Sequence, residues 1–319
     1  MKSKYKVEKI SPELAFKIWS KSPNSSIFNN PQFLSFYEGS TFFGAYKGDE
    51  LLCCWPILLD NDEFKIPDFF YYLGPFWSNK FDKIPNHSKF SLTNDIYNCY
   101  INKFINKFKK IHFQLHYSLN DIRAFDWFNY NLNDSKKFSI KNRYTALIKN
   151  LKSKKPDKLL SDYRYVRRYE IKNFDNYKKN IIISDLNSTD AVDLYLENNY
   201  NTDKNKDDQI KNDILKLIDI SKKGYGDTIS YKEKKTNKLV MFSLVLFDNS
   251  SVNLLINCAT KEWKKKGIMA WSLNEKLKTY QKKYDIFDFN GANSPNRGDD
   301  KHSYGAKESL FFDLKYNIK

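Results

Sequence analysis

The sequence predicts an α/β chain (α+β in that its sheets are mixed) built as two similar halves, each a sheet flanked by helices. Three observations carry this. Short β-rich runs alternate with segments of helical spacing along the chain. Two hairpin segments resemble each other. One is Thr41–Tyr46, a Lys-Gly-Asp-Glu turn and Leu51–Leu59; the other is Thr228–Lys232, a polar turn and Leu239–Asp248. The step from Thr41 to Thr228 equals the step from Leu52 to Leu239, which suggests an internal duplication. With 319 residues the chain is comfortable as two domains, and the expected division is 1–150 and 151–319.

The elements follow in order. Residues 4–10 read as a strand. Ser11-Pro12-Glu13 opens a helix to about Ser20, Ser at the N-cap and Pro at the first helical position. Asn29-Asn30-Pro31 is a turn and 32–37 a short helix. After the first hairpin, Phe69–Leu73 reads as a strand ended by Gly74-Pro75. Thr93–Lys110 has helical spacing, with Ile96, Tyr100, Ile101, Phe104, Ile105 and Phe108 on one face. Strands are expected at 111–117 and 145–151, and one or two very basic helices over 152–180. A strand at 181–185, helices at 189–200 and 207–222, the second hairpin and a strand at 251–259 come next. Gly267 opens a helix to about Lys283, 285–289 is a buried strand, and 309–316 closes the fold.

Composition narrows the partners. At 41% hydrophobic and 17% aromatic the chain has ample core material and is not disordered. The formal charge of +16 favours anionic partners (nucleic acid, a membrane surface or phosphorylated ligands), although most of the lysine is scattered over the sequence. Cys53, Cys54, Cys99 and Cys258 show neither metal-ligand spacing nor a disulfide framework, so reduced thiols and no metal are expected. The N-terminus has no apolar signal region and the apolar runs are too short to span a bilayer, which points to the cytoplasm.

The most informative stretch is 285–307. An apolar strand runs into an Asn/Gly/Ser/Pro turn and then a cationic segment with Arg297, Lys301, His302 and Ser303, closing on Gly305. A buried strand feeding a polar loop is how open sheets build sites at their carboxyl edges. Asp288, flanked by Phe287 and Phe289, suits a base or an ammonium-positioning group, or a structural carboxylate capping the turn. Lys301, His302 and Ser303 suit a donor phosphate or a nucleotide-sugar diphosphate. Lys264, Lys265 and Gly267 stand before a helix whose N-terminus offers N–H groups to phosphate. Arg164, Arg167 and Arg168 share a helical neighbourhood fit to clamp a diphosphate or an RNA backbone, or to form inter-domain ion pairs. His116 with Asp121, Arg123, Asp126 and Trp127 makes a polar, aromatic cluster that suits a sugar face, or simply a satisfied histidine and a loop.

The order of elements, together with Tyr144-Thr-Ala-Leu-Ile-Lys-Asn-Leu151, Arg164-Tyr-Val-Arg-Arg168 and Phe287-Asp-Phe-Asn-Gly291, resembles the Fem-type family of peptidoglycan-bridge aminoacyltransferases from about Phe28 to Tyr316. The resemblance implies two tandem GNAT-like acyltransferase domains. It further implies transfer of an acyl or aminoacyl group to an amine of an amino sugar or cell-envelope precursor, in a cleft between the halves. The implied catalytic residues are Asp288, Lys301 and Ser303. Substrate contacts would come from His116, Asp121, Arg123, Asp126, Trp127, Asn293, His302 and Tyr304, and donor contacts from Lys264, Lys265, Gly267, Arg164, Arg167 and Arg168. No cofactor is expected to be tightly bound; the donor would be acyl-CoA, an acyl-carrier protein or aminoacyl-tRNA. Two features depart from the family. The segment after Leu151 is too short for a long coiled-coil arm, and Met269 stands where the GNAT phosphate signature has a small residue. A tRNA-dependent bridge enzyme and a non-catalytic basic binding module therefore stay open beside the main reading.

Overall fold

A computed structural model describes residues 4–133, 136–198 and 204–317. Its contacts divide the chain into two compact units: Met1–Arg143 with Leu310–Lys319, and Tyr144–Ser309. The last residues thus return to the first unit, which a single cut after residue 150 does not provide.

In the first unit the strands are β1 (Lys6–Ile10), β2 (Ser40–Lys47), β3 (Glu50–Asp60), β4 (Glu63–Phe64), β5 (Phe76–Trp77), β6 (Lys110–Gln114) and, from the chain's end, β13 (Lys307–Asn317). The order is β1-β2-β3-β4-β6-β13, with β5 paired to β3. All neighbours are antiparallel except β4 and β6. Helices α1 (Pro12–Trp19), α2 (Pro31–Leu34), α3 (Asn86–Ile105) and α4 (Arg123–Asp126) complete it. Ser11 caps α1 as the sequence predicts, its hydroxyl accepting from the Leu14 N–H. The core is aromatic. Trp55 on β3 packs edge-on against Tyr97, Tyr100 and Phe104 of α3 and Phe113 of β6. The strand expected at Phe69–Leu73 does not form, because Phe69 and Tyr72 adopt left-handed backbone (φ 65° and 54°) that no extended run tolerates. The pairing falls instead to Phe76–Trp77.

The second unit holds β7 (Ser139–Ile148, from Tyr144), α5 (Pro156–Ser161), α6 (Tyr165–Phe174), β8 (Ile181–Ser184), α7 (Ser188–Asn198) and α8 (Lys204–Ile220). It continues with β9 (Gly226–Glu233), β10 (Leu239–Phe247), β11 (Ser251–Ala259), α9 (Lys261–Lys265), α10 (Ile268–Tyr280), β12 (Ile286–Asp288) and α11 (Pro295–His302). Residues 199 and 200, expected to end α7, lie outside the described residues. Strand order is β8-β9-β10-β11-β12-β7. As in the first unit, an edge strand precedes an antiparallel hairpin, one neighbour pair is parallel (β11 and β12), and the last is antiparallel. The topology repeats, in keeping with the duplication read from the hairpins.

Candidate active site

The site grows from the parting of two strands. Parallel β11 and β12 pair from Ser251 with Ile286 to Asn253 with Asp288. β11 then runs on to Ala259 while the chain after Asp288 stays with β7. The Phe289 N–H donates to the Ala146 carbonyl (3.0 Å) and the Ala292 N–H to the Tyr144 carbonyl (2.8 Å). Asn293 extends this ladder with its side chain, accepting from the Tyr144 N–H (2.7 Å) and donating to its carbonyl (3.1 Å). In open sheets, the carboxyl end of a diverging parallel pair is where ligand sites are commonly built.

Asp288 and Asn290 stand at the divergence, and both are buried. The Asp288 carboxylate accepts from the Thr145 hydroxyl of β7 and from the Asn290 N–H (2.8 Å). It therefore fixes the turn that follows, with Asn290 at φ 50°. The Asn290 amide reaches back to donate to the Leu254 carbonyl of β11 at 3.3 Å. Its Oδ1 is buried and has no hydrogen-bond partner among the described residues. A buried acceptor left open is costly in a folded chain, which makes this oxygen a candidate contact at the strand divergence.

The segment expected to be a loop after Pro295 is helix α11, which Pro295 can start because the first helical N–H needs no partner. The side chain of Arg297 lies outside the described part. Lys301 donates to the Gly291 carbonyl at 2.8 Å, bracing the turn. The Ser303 hydroxyl donates to the Asp300 carbonyl and accepts from Arg167 Nε at 2.7 Å. His302 sets Nδ1 3.0 Å from the Ala306 carbonyl, so that nitrogen carries the proton; Nε2 is 3.7 Å from Glu308. Tyr304 is buried, stacks on Phe289 (centroids 5.8 Å apart) and meets Tyr163 edge-on. Burial raises its pKa.

The arginines hold α11 in place. Arg164 pairs with Asp299 (2.6 Å), and its N–H donates to the Ser303 carbonyl (2.8 Å). Arg167 pairs with Asp300 and Glu170 and lies over the Tyr304 ring. Arg168 donates to the Ser161 and Tyr163 carbonyls. Of the lysines before α10, Lys264 donates to Asn198 and Lys265 is exposed. Gly267, at φ 92°, lets the backbone approach α6, since a Cβ there would come within 2.5 Å of the Glu170 carbonyl oxygen.

The other cluster belongs to the first unit. His116 lies past the end of β6; its Nδ1 accepts from the Ser118 N–H and sits 2.7 Å from that residue's hydroxyl. Asp121 and Arg123 bond bidentately (2.9 and 2.8 Å), which holds the Asp121 carboxyl below the usual range. The Arg123 guanidinium lies over Phe90 at 3.8 Å, Trp127 is 47% exposed, and Asp126 is exposed. Asn290 is the residue that sequence reasoning missed. It stood inside the Asp-Phe-Asn-Gly motif, but its open acceptor depends on where β11 leaves β12.

No protein-family model matches the chain, and no curated protein matches it in sequence. Solved structures do. FemX superposes with a TM-score of 0.63 at 10% identity, over 97% of this chain and 96% of its own. A tandem GNAT protein from the clavulanic acid biosynthesis pathway gives 0.53 at 7% identity over 99% of both chains. L-PGS from Bacillus licheniformis gives 0.52 at 10% identity, over 98% of this chain and 93% of that one. Identities this low speak to architecture alone, and with the repeated topology they show that this chain shares the fold of FemX and of the tandem GNAT protein.

Proposed function

We propose that the protein is an acyltransferase that moves an acyl or aminoacyl group onto an amine of an amino sugar or cell-envelope precursor. The observation that carries this reading is the divergence of β11 from β12, with the buried Asn290 Oδ1, which has no hydrogen-bond partner among the described residues, beside it. Similarity over nearly full length to FemX and to a tandem GNAT protein supports it. In such a transfer the amine nitrogen bonds to the donor carbonyl carbon, the bond from that carbon to the donor's sulfur or oxygen breaks, and the amine's proton passes to a base. Asn290 Oδ1 would accept an N–H of the incoming amine and orient its lone pair. Asp288 and Lys301 would act by holding the turn that carries Asn290. His302, whose Nδ1–H is fixed on Ala306, leaves Nε2 to take the proton, and the leaving group departs protonated.

The donor would be acyl-CoA, an acyl-carrier protein or aminoacyl-tRNA. The first N–H groups of α10, with Lys264 and Lys265 before them, would meet its phosphates. In the first unit, exposed Trp127 would offer a stacking face to a sugar. A second reading, tRNA-dependent aminoacyl transfer, draws on the +16 charge. The test is transfer of radiolabelled acyl or aminoacyl groups to a panel of amino-sugar acceptors, with acyl-CoA, acyl-carrier and aminoacyl-tRNA donors in parallel. Transfer should appear with one donor class and fall about a hundredfold in Asn290→Leu. No transfer from any donor, or full activity in Asn290→Leu, would overturn the reading.

A further inference from the structure

The two edge strands that begin the sheets differ sharply. β1, at the edge of the first sheet, turns Lys6, Glu8 and Lys9 to solvent, the usual protection of an open edge. β8 holds the same position in the second sheet and carries no charge. Its sequence is Ile-Ile-Ile-Ser, with Ile182 41% and Ile183 75% exposed, one on each face of the strand. β9 pairs it on one side, and no described strand lies beyond it. Beside it opens a groove of about 700 Å³ lined by Ile183, Ser184, Asp185, Leu186, Lys222 and Thr228.

We infer that β8 is a self-association edge, where a second copy of this chain adds its own β8 antiparallel across a two-fold axis. Symmetry restricts the register. A residue presents its N–H and C=O to one side only, so a symmetric antiparallel pair must centre on one residue facing its own copy. Centred on Ile182, the pairing sets Ile181 opposite Ile183 and brings exposed Lys179, in the 3-10 turn (Lys178–Asn180) just before β8, near exposed Asp185, just after β8, in the other copy. Opposite charges therefore flank the apolar centre twice, which matters for a chain of net charge +16 that otherwise repels its copies. Centred on Ile183, the turn that carries Lys179 would meet the region of Asn187 and Asp185 would meet Ile181, so charge complementarity favours the Ile182 register. The groove is free to take the second copy's isoleucine side chains.

Sedimentation equilibrium of the full chain tests this directly. The wild type should be a concentration-dependent dimer. Ile182→Lys, which places like charges on the axis at an exposed position, should weaken it about tenfold or more while circular dichroism and the melting temperature hold. Lys179→Glu and Asp185→Lys should each weaken the dimer, and the double reversal should restore it. A wild type that stays monomeric at its highest soluble concentration, a dimer that survives Ile182→Lys, or a double reversal that recovers nothing would each overturn the inference.

Discussion

The two units share one strand path but fill it differently. In the first, the helix behind the sheet, α3, buries Tyr97, Tyr100, Ile101 and Phe104, and the strand in the place of β11 is reduced to the two-residue β4. In the second, the corresponding helix α10 buries Ser272, Asn274 and Lys276 among its apolar residues, and the corresponding strand, β11, has nine residues. Asp288 and Asn290 add buried polar groups at the head of that strand pair. The two units are two versions of one frame. One gave its helix face to aromatic packing, and the other accepted the cost of buried polar groups, which chains retain where those groups position chemistry.

Breaking the aromatic side of the comparison gives the largest expected effect. Trp55→Ala empties a site that is 1% exposed and ringed by aromatic side chains, at a cost of about 3–5 kcal/mol. Urea unfolding should show the loss, and a drop under 1 kcal/mol would mean that the first unit's core does not depend on this cluster.

Next comes the polar side. Lys276 is buried, donates to the Ser243 and Ser272 hydroxyls, and has no carboxylate in its hydrogen-bond shell among the described residues. Burial lowers its pKa from 10.5 to about 7, opposed by Asp227, which Tyr280 also bonds. The sign follows from proton binding. Between about 7 and 10.5 the unfolded chain holds this proton and the folded one does not, so stability climbs with pH across that window. Below 7 the full penalty for burying the charge applies, on the order of a few kcal/mol. Lys276→Met should remove the penalty, raising stability at pH 6 and flattening the difference between pH 6 and 9. An equal change in unfolding free energy between pH 6 and pH 9 for the two proteins, measured by urea unfolding at each pH, would refute this role.

Gly267→Ala tests the packing of α6 on the start of α10. It forces a Cβ onto backbone at φ 92° and against the Glu170 carbonyl, costing about 2 kcal/mol. If Gly267 serves only to admit a donor phosphate, donor binding falls and stability does not.

The sequence made the frame legible because hairpins and buried strands announce themselves by local pattern. Thr41–Leu59 and Thr228–Asp248 read as hairpins and are hairpins. Pairing over long range was not legible. The apolar run at Phe311, Phe312 and Leu314, all buried in β13, marks a strand without naming β6 as its partner. Local strain was also hidden: nothing in Phe69–Leu73 signals two left-handed residues. At the site, sequence singled out the 285–307 stretch. The hydrogen bonds of Lys301 and Ser303, and the open acceptor of Asn290, depend on α11 and on the strand divergence, which no local pattern encodes.

The smallest predicted effect bears most closely on how the site is held. Ser303 is the one side chain that receives Arg167 Nε and also caps the end of α11 through the Asp300 carbonyl. Ser303→Ala removes both bonds, but Arg167 keeps Glu170 and Asp300, and the Arg164 N–H keeps the Ser303 carbonyl. The loss should therefore stay near 1 kcal/mol, the net worth of a partly buried hydrogen bond. If Ser303 only positions α11, activity in the variant falls severalfold and follows the stability of that helix, read as hydrogen exchange over 295–303. If Ser303 instead supplies a reacting hydroxyl, activity collapses while exchange over 295–303 is unchanged, and Ser303→Thr, which keeps a hydroxyl on a bulkier side chain, restores part of it.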